Sequence, residues 1–319
     1  MTYPSTEKPP VLAVVGATAS GKTALGIMLA QSYGGEVVSA DSMQIYKGLD
    51  IATAKPTQEE MQGIPHHLIS ILSPETPCSV ADYVEYARKA IAQIHAKGKL
   101  PIVVGGTGLY VDSLLDNIQF PDIPSSEALR QQLSEEAAQK GNAVLLERLR
   151  QWDPETAARL HANNLRRIIR ALEVYQLTGT PLSEYARQSR AVPSPWSITR
   201  IGIGFADRQL LYQRIGLRVD QMIEQGLVEE VREEYESGRR RATAAAAIGY
   251  KELLPWLEEK ASFDTCIAVL KQETCRYAKR QGTWFRRNEQ IQWLVRDDIY
   301  ENVEILEKCQ KMIANRTEL

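Results

Sequence analysis

One segment near the N-terminus has the residue types and spacing of a phosphate-binding loop. Residues 16–23 read Gly-Ala-Thr-Ala-Ser-Gly-Lys-Thr, which fits the pattern G-x-x-x-x-G-K-S/T. Glycines let successive backbone N–H groups turn toward phosphate oxygens, and the start of a following helix adds partial positive charge. In this pattern the lysine reaches a terminal phosphate and the last hydroxyl is placed to ligate Mg²⁺. We therefore expect a polyphosphate site with Lys22 and Thr23 in these two roles.

Two further places carry polar groups directly after short apolar runs. Asp41 follows Val37–Ala40, and the carboxyl ends of parallel strands face the ligand crevice of an open α/β sheet. The candidate roles of this carboxylate are a ligand of Mg²⁺, a ribose contact, a general base or a cap of the following turn. At Gly105–Gly108 the acid that many P-loop NTPases carry after this strand is missing. We therefore expect a ligand to approach the backbone of this turn closely, with the Thr107 hydroxyl as a contact. The alternative interpretation is an ordinary strand-to-helix turn.

The segments around these residues alternate between strand-like and helix-like patterns. Short apolar runs with tight glycine turns are typical of parallel strands joined by helices. Ser79 with Asp82 three residues on has the form of a capping box at a helix start. The predicted elements are strands at Val11–Val15, Glu36–Ala40, His67–Ile71 and Leu100–Val104, and helices at Lys22–Tyr33 and Ser79–Ala96.

The pattern becomes helical between about Pro121 and Arg190 and then returns to mixed strands and helices. We therefore predict an α/β, P-loop NTPase-like parallel sheet core formed by residues 9–120 and 195–319, interrupted by a helical insertion at 121–194. The insertion helices are predicted at Ser126–Lys140, Ala143–Gln151, Pro154–Leu160 and Leu165–Thr178. The later elements are predicted as strands at Thr199–Phe205 and Ile291–Val295, and helices at Leu210–Gln225, Leu227–Ser237, Tyr250–Glu259 and Phe263–Arg287.

Composition excludes several classes of protein. The chain has 319 residues, 44% of them hydrophobic, with a formal net charge of −2, which argues against disorder and against a globally basic nucleic-acid binder. The 4 cysteines are far apart and form no metal-binding pair, so a reducing compartment is the simpler inference. The first ten residues lack the apolar stretch of a signal peptide, and no run is long enough to span a membrane. We expect a soluble cytoplasmic protein.

Several longer segments closely resemble the tRNA dimethylallyltransferase, or isopentenyltransferase, family. The match begins with the phosphate loop and is most specific in the block Asp41–Pro56. It continues, in order along nearly the whole chain, through Pro65–Leu68, Gly105–Thr107, Arg170–Glu173, Ala278–Gln281 and Thr283–Arg286. The chain has no zinc finger before Leu319, as in the bacterial form of this family.

The resemblance implies an activity and a set of residues for it. The activity is transfer of a dimethylallyl group from its diphosphate, with Mg²⁺ as cofactor, to N6 of the adenosine on the 3′ side of the tRNA anticodon. Asp41 is implied to be the general base, Thr107 a polar contact at the reacting centre, and Arg214 a ligand of the departing diphosphate. The implied diphosphate-binding residues are Gly16, Ala17, Thr18, Ala19, Ser20, Gly21, Lys22 and Thr23, with Thr23 also the metal ligand. The implied tRNA-binding residues are Ser42, Met43, Gln44, Asn164, Arg166, Arg167, Arg170, Gly249, Tyr250, Lys251, Lys279 and Arg280.

Basic stretches are compatible with an RNA partner but do not identify one. Lys271–Arg287 contains six basic residues and one acid, with aromatic residues among them. Such a stretch suits phosphate contact with base stacking, or is a solvated helix with a buried aromatic face. The run Arg239–Arg241 is similar.

Two other functions share part of the pattern. An adenylate isopentenyltransferase performs the same chemistry on a free nucleotide but requires neither the insertion nor the basic helix. In a small-molecule P-loop kinase, Asp41 would position an acceptor hydroxyl. We expect a monomer that binds dimethylallyl diphosphate and the tRNA anticodon stem-loop, without a membrane partner.

Overall fold

The computed structural model describes residues 8–237, 247–297 and 302–314. The chain divides into two compact units, residues 1–115 with 195–319 (the core unit) and residues 116–194 (the insertion unit). The arginine run Arg239–Arg241 and the first seven residues of the chain lie outside the described residues. Among those that are described, no helix is both long and apolar enough to cross a bilayer.

The core unit is built on a six-stranded sheet in which all neighbouring strands pair in parallel, in the order β3-β2-β4-β1-β5-β6. The predicted fold class, an α/β protein with a parallel sheet, is confirmed. The strands are β1 (Pro10–Gly16), β2 (Gly35–Ser39), β3 (His66–His67), β4 (Leu100–Gly105), β5 (Ser197–Gly204) and β6 (Ile291–Val295).

Helices cover both faces of this sheet, which explains why β1 is apolar at every position. Its alternate residues contribute to two separate hydrophobic clusters, Val11 to one and Leu12 to the other. Parallel strands need a crossover connection, and the helices supply it while burying the sheet. The helices of the core unit up to residue 115 are α1 (Lys22–Tyr33), α2 (Gln58–Met61), α3 (Val80–Ala96) and α4 (Gly108–Leu115).

The insertion unit is helical, and residues 116–194, all of which the structure describes, contain no strand. Its helices are α5 (Glu127–Lys140), α6 (Asn142–Trp152), α7 (Pro154–Ala158), α8 (Leu165–Thr178) and α9 (Leu182–Gln188). They pack around a core of leucine, isoleucine and alanine side chains such as Leu145 and Leu172. The unit therefore has a hydrophobic core of its own.

The remaining helices of the core unit follow β5 and β6. A third hydrophobic cluster packs residues of three of these helices together, for example Val219, Val231 and Leu270. The helices that follow β5 are α10 (Arg208–Glu224), α11 (Leu227–Glu236), α12 (Leu254–Leu257), α13 (Phe263–Phe285) and α14 (Asn302–Ala314).

Several predicted elements were wrong or missed. The strand predicted at His67–Ile71 is limited to β3, because Leu68 and Ser70 have φ of 65° and 53°, which breaks extended backbone. The helix predicted at Tyr250–Glu259 is reduced to α12 and ends where Glu259 turns to φ 58°. The short helices α2, α4 and α9, and α14, were not predicted.

Candidate active site at the carboxyl end of the sheet

The phosphate loop connects β1 to α1, as its sequence context predicts. Three of its residues have positive φ: Gly16 at 155°, Ala19 at 60° and Gly21 at 95°. Glycine adopts such conformations without steric penalty. In addition, a methyl group on Gly16 would lie 2.6 Å from the Ile203 carbonyl oxygen. The first glycine is therefore required both by the backbone turn and by close packing against β5.

Arg214 and Lys22 each donate a hydrogen bond to a carbonyl group of this loop. Arg214 Nε, from α10, lies 3.0 Å from the Ala19 oxygen. Lys22 Nζ lies 3.3 Å from the Ala17 oxygen. Both side chains also line a cavity of about 1290 Å³. These contacts hold the guanidinium and ammonium groups beside the loop, where they can bind an anion.

Arg218 is a third cation of the site, and the sequence analysis missed it. It lies one helical turn after Arg214 on α10, and its Nη2 is 3.4 Å from the Ala54 oxygen. Desolvation lowers the pKa of Arg218. Burial and then the charge of Arg218 lower the pKa of Lys22 to about 8, against the opposing effect of Asp41. The spacing of four residues between the two arginines places them on one helix face, and was the signal available in the sequence.

Gln281 joins the phosphate loop to the turn after β4. Its Oε1 accepts a hydrogen bond from the Thr18 N–H at 2.8 Å, and its Nε2 donates to the Gly106 oxygen at 3.0 Å. The side chain is buried. Its partners lie 263 and 175 residues away in the sequence, so no local pattern could assign this role.

The glycines of the turn after β4 are packed against protein on the side where a side chain would project, while Gly105 also lines a cavity of about 330 Å³. A methyl group on Gly106 would overlap Gln281 Nε2, and one on Gly108 would overlap the Trp284 ring. On Gly105 it would overlap the Ala40 carbonyl. The segment is a tight strand-to-helix turn, because α4 begins at Gly108, and a ligand close to its backbone stays a prediction.

Asp41 lies just beyond the end of β2 and caps the turn that follows. Its Oδ1 accepts hydrogen bonds from the N–H groups of Met43 at 2.9 Å and Gln44 at 3.3 Å. Thr107 Oγ1 accepts one from the Ser42 N–H at 3.1 Å, which connects this turn to the glycine turn. Within the described parts of the chain, Asp41 Oδ2 has no hydrogen-bond partner. The cap therefore leaves one carboxylate oxygen to accept a proton. Asp41 can thus be both a cap of the turn and a general base.

Tyr277 closes the site on the side of α13. The side chains of Thr107 and Gln281 lie near its phenol. Burial, followed by the nearby charge of Asp41, raises the pKa of Tyr277 to about 12, against the lowering effect of these two side chains. The phenol is therefore neutral at physiological pH and is a neighbour of Thr107.

A second cavity, of about 330 Å³, brings the candidate base and the phosphate loop together. Lys22, Thr23 and Arg218 line both cavities, so the larger one adjoins the smaller at the loop. Asp41 lines the smaller one. Its apolar wall is formed by residues of β4, α10 and α13 with neighbouring segments, namely Val104, Ile215, Val219, Met222, Ala247, Ile248 and Leu270. This arrangement suits a short apolar group attached to a phosphate and facing a carboxylate.

Of the predicted tRNA-binding residues in the core unit, some are accessible and some are packed. Lys279 and Arg280 are exposed on α13, and the Arg280 guanidinium lies 5.7 Å from the Tyr277 ring centre. Tyr250 is buried in the third hydrophobic cluster. Ser42, Met43 and Gln44 all line the smaller cavity. Gly249 donates its N–H to Glu252 at 2.9 Å, and Lys251 Nζ lies 3.5 Å from the same carboxylate.

In the insertion unit the predicted tRNA-binding residues lie at the start of α8. Asn164 precedes the helix, and Arg166 and Arg167 are exposed in its first turn. Arg170 is engaged within the protein, since its Nη1 lies 2.7 Å from the buried Glu173 carboxylate. Two cations at a helix start oppose the helix dipole, so this arrangement is not explained by helix stability.

The fold and the site define a class of protein: an α/β enzyme with a phosphate loop, a cluster of cations and a carboxylate around an apolar cavity. Comparison with known families assigns the chain within it. The family model "IPP transferase" matches residues 44–288, and the model "Isopentenyl transferase" matches residues 9–74. The chain belongs to the IPP transferase family.

Individual relatives agree with this assignment. The chain is 48% identical over 315 residues to a tRNA dimethylallyltransferase of Geobacillus thermodenitrificans, covering 98% of each chain. It is 46% identical to one of Acetivibrio thermocellus, covering 95% of this chain and 97% of that relative.

Solved structures give the same result. The full-length tRNA isopentenylpyrophosphate transferase of Bacillus halodurans superimposes with a TM-score of 0.72 at 41% identity, over 97% of this chain and 96% of that one. A eukaryotic dimethylallyltransferase solved acting on tRNA gives a TM-score of 0.79 at 30% identity, over 96% of this chain and 80% of that one.

Proposed function

We propose that this protein transfers a dimethylallyl group from dimethylallyl diphosphate to N6 of the adenosine on the 3′ side of the tRNA anticodon. The observation that carries the proposal is the cavity of about 330 Å³ in which Asp41 and Lys22 lie beside an apolar patch that includes Val104, Ile215 and Leu270. A diphosphate at the loop would direct its five-carbon chain into that cavity. An adenine entering beside Ser42–Gln44 would then meet the first carbon of the chain.

The cations of the site act on the leaving group. As the carbon–oxygen bond breaks, negative charge grows on the diphosphate and positive charge on the allyl fragment. Lys22, Arg214 and Arg218, together with the loop N–H groups, stabilise the growing negative charge. Such preorganised donors give the largest single contribution in many enzymes.

Asp41 acts on the nucleophile. The exocyclic amine of adenine is a weak nucleophile, so removal of its proton as the carbon–nitrogen bond forms assists the reaction. Asp41 Oδ2 receives this proton, while Oδ1 continues to hold the turn. The products are the N6-dimethylallyl nucleotide and diphosphate, and the proton leaves from Asp41 to solvent.

The residues present fit a Mg²⁺ ion held mainly by the substrate. Mg²⁺ prefers oxygen ligands and is often bound through one or two protein groups together with phosphate oxygens. The described residues contain no group of three or more His, Cys, Asp or Glu that could cage a metal. Thr23 lines both cavities, and among the described residues the buried Ser20 Oγ of the same loop has no hydrogen-bond partner. Thr23 would hold the ion, which when bound neutralises part of the diphosphate charge.

We assign tRNA binding to exposed cations in each unit. Lys279 and Arg280 on α13, and Arg166 and Arg167 on α8, are placed to contact phosphates. Within the insertion unit Asn164 and Arg170 contribute beside Arg166 and Arg167, and within the core unit we include Gly249–Lys251. An anticodon-loop adenosine is unstacked cheaply, which allows it to enter a protein pocket. We further propose that the protein works as a monomer in the cytoplasm.

The experiment offers three acceptors to the same donor. Purified protein is incubated with radiolabelled dimethylallyl diphosphate and Mg²⁺, and with unmodified tRNA, AMP or ATP. Label in tRNA, located by nuclease digestion and mass spectrometry, is the expected result. Label in AMP or ATP would indicate an adenylate isopentenyltransferase. Phosphoryl transfer from ATP without prenylation would indicate a kinase.

A further inference from the structure

Arg296 lies directly beneath the phosphate loop, outside the residues 44–288 that the family model matches. It follows β6, and its backbone N–H donates to the Gly204 oxygen at 3.0 Å. Its side chain is buried, with 8% of the residue exposed. Nη1 donates to the Ser20 carbonyl oxygen at 3.0 Å. This hydrogen bond connects the end of β6 to the phosphate loop at Ser20.

This contact fixes the orientation of one peptide group. In a trans peptide the carbonyl and the following N–H point to opposite sides. With the Ser20 carbonyl directed to Arg296, the Gly21 N–H is directed away from it. Gly21 has φ 95°, and a methyl group there would overlap Arg296 Nη1. The guanidinium therefore lies directly against the peptide that begins α1.

Arg296 and Arg214 act on successive peptides of the loop. Arg214 donates to the Ala19 oxygen and Arg296 to the Ser20 oxygen. Burial, and then the nearby charge of Arg214, lower the pKa of Arg296. Two neighbouring like charges repel, and a bound anion relieves this repulsion.

We infer that Arg296 is a positioning residue for the diphosphate loop, holding the Ser20–Gly21 peptide so that the Gly21 N–H faces the diphosphate and placing positive charge beneath it. The inference rests on the proposed assignment of the loop to dimethylallyl diphosphate. It adds a residue from the last strand of the sheet to that site. Arg296 acts through the loop and is not itself a ligand of the substrate.

The test uses inorganic pyrophosphate as the probe, measured with Mg²⁺ by calorimetry on the full chain. Arg296→Ala should raise the Kd for pyrophosphate about tenfold, since a hydrogen bond from a charged donor is lost. The KM for dimethylallyl diphosphate should rise with it, while the Kd for tRNA stays within twofold. Arg296→Lys, which keeps charge and a donor, should recover part of the loss. Arg208→Ala removes an exposed arginine at the start of α10 and should bind pyrophosphate like the wild type.

Several outcomes overturn the inference. Wild-type pyrophosphate affinity in Arg296→Ala, or an equal loss of pyrophosphate and tRNA affinity, means that Arg296 serves only general stability. If the alanine variant does not fold, Arg296→Gln decides, and an unchanged Kd for pyrophosphate in that variant overturns the inference. Failure of the wild type to bind pyrophosphate would instead contradict the proposed function.

Discussion

Asp41 uses one carboxylate oxygen for structure and has the other available for chemistry, and this division can be tested by an isosteric change. In Asp41→Asn the remaining oxygen can still accept from the Met43 and Gln44 N–H groups, so the turn is kept. The basicity is lost, and kcat should fall by about 10²–10⁴, the usual contribution of a positioned general base. Single-turnover prenylation of tRNA measures the effect. The control is the Kd for pyrophosphate, which should be unchanged. Near wild-type turnover would make Asp41 a structural cap only.

Lys22 should make diphosphate binding depend on pH near the upper end of the physiological range. Burial, and then the charge of Arg218, lower its pKa to about 8, so its ammonium form is lost as the pH rises through 8. Since that form binds the anion, the affinity for pyrophosphate should fall between about pH 7 and pH 9. Calorimetry across this range gives the profile. Lys22→Met provides the background due to titration of pyrophosphate itself, and a wild-type profile identical to that background would contradict the prediction.

At the scale of elements, the parts that local sequence determines were predicted well. Lys22–Tyr33 is helical to the residue, because the left-handed glycines Gly21 and Gly34 cap its two ends. The capping box at Ser79 forms as expected. Gln281 was missed because its role arises from contacts with distant segments. Arg218 was missed although its spacing of four residues from Arg214 places both on one helix face. The extent of β3 was overestimated because the positive φ of Leu68 has no signature in a run of apolar residues.

The loop of residues 50–54 borders the smaller cavity and is held by one carboxylate. Glu230 on α11 accepts hydrogen bonds from three consecutive N–H groups, those of Asp50, Ile51 and Ala52, at 2.8, 2.8 and 2.9 Å. Glu230→Gln replaces one acceptor oxygen by an NH₂ group, which cannot accept these donors. We expect a loss of about 1–3 kcal/mol of local stability and faster amide hydrogen exchange at residues 50–54.

The neighbouring Glu229 supplies the control for that experiment. It is exposed on the same helix, so Glu229→Gln changes the charge by the same amount without touching the loop. Hydrogen exchange followed by mass spectrometry compares the two variants with the wild type, and kcat for prenylation should fall only in Glu230→Gln. Equal exchange in both variants would show that the loop is held by its other contacts.

For the molecule as a whole, one buried carboxylate predicts how stability depends on acid. Glu36 is 1% exposed and bonds to His67, Lys97 and Lys99 at 2.7, 3.0 and 2.9 Å. Burial alone would raise its pKa, but these hydrogen bonds more than offset burial and lower the pKa to about 2. A carboxylate whose folded pKa lies below its unfolded value stabilises the fold above the unfolded pKa, and this stability is lost as the pH falls toward 2.

The size of that effect can be measured by denaturant unfolding at pH 7 and pH 3. The wild type should lose about 2–3 kcal/mol through this group between the two conditions. Glu36→Gln should be less stable at pH 7 and should show a smaller loss. Glu85→Gln, which removes an exposed partner of Lys89, serves as control and should keep the wild-type pH dependence. If the free energy of unfolding changed equally with pH in the wild type and in Glu36→Gln, the loss of stability in acid would not come from Glu36.

Binding of tRNA should reveal its footprint through salt dependence. Each phosphate neutralised on single-stranded RNA contributes about −0.7 to the slope of log K against log salt concentration. Lys279 and Arg280 are both exposed on α13, so the double alanine variant should bind tRNA more weakly and with a slope smaller by about 1–1.5. Its thermal stability should change little, because exposed charges contribute little to folding.

The matched control removes two lysines from α14. The apolar side chains of α14 pack on one face of the sheet, and Phe285 at the end of α13 packs on the other face. Lys308→Ala with Lys311→Ala changes the net charge by the same amount, so any loss due to long-range attraction alone appears in both double variants. Only loss of direct phosphate contacts flattens the slope in the α13 variant and not in the α14 variant. Filter binding of tRNA across a salt series makes this comparison. Equal slopes in the two variants, or a large fall in thermal stability of the α13 variant alone, would move the RNA-binding surface away from Lys279 and Arg280.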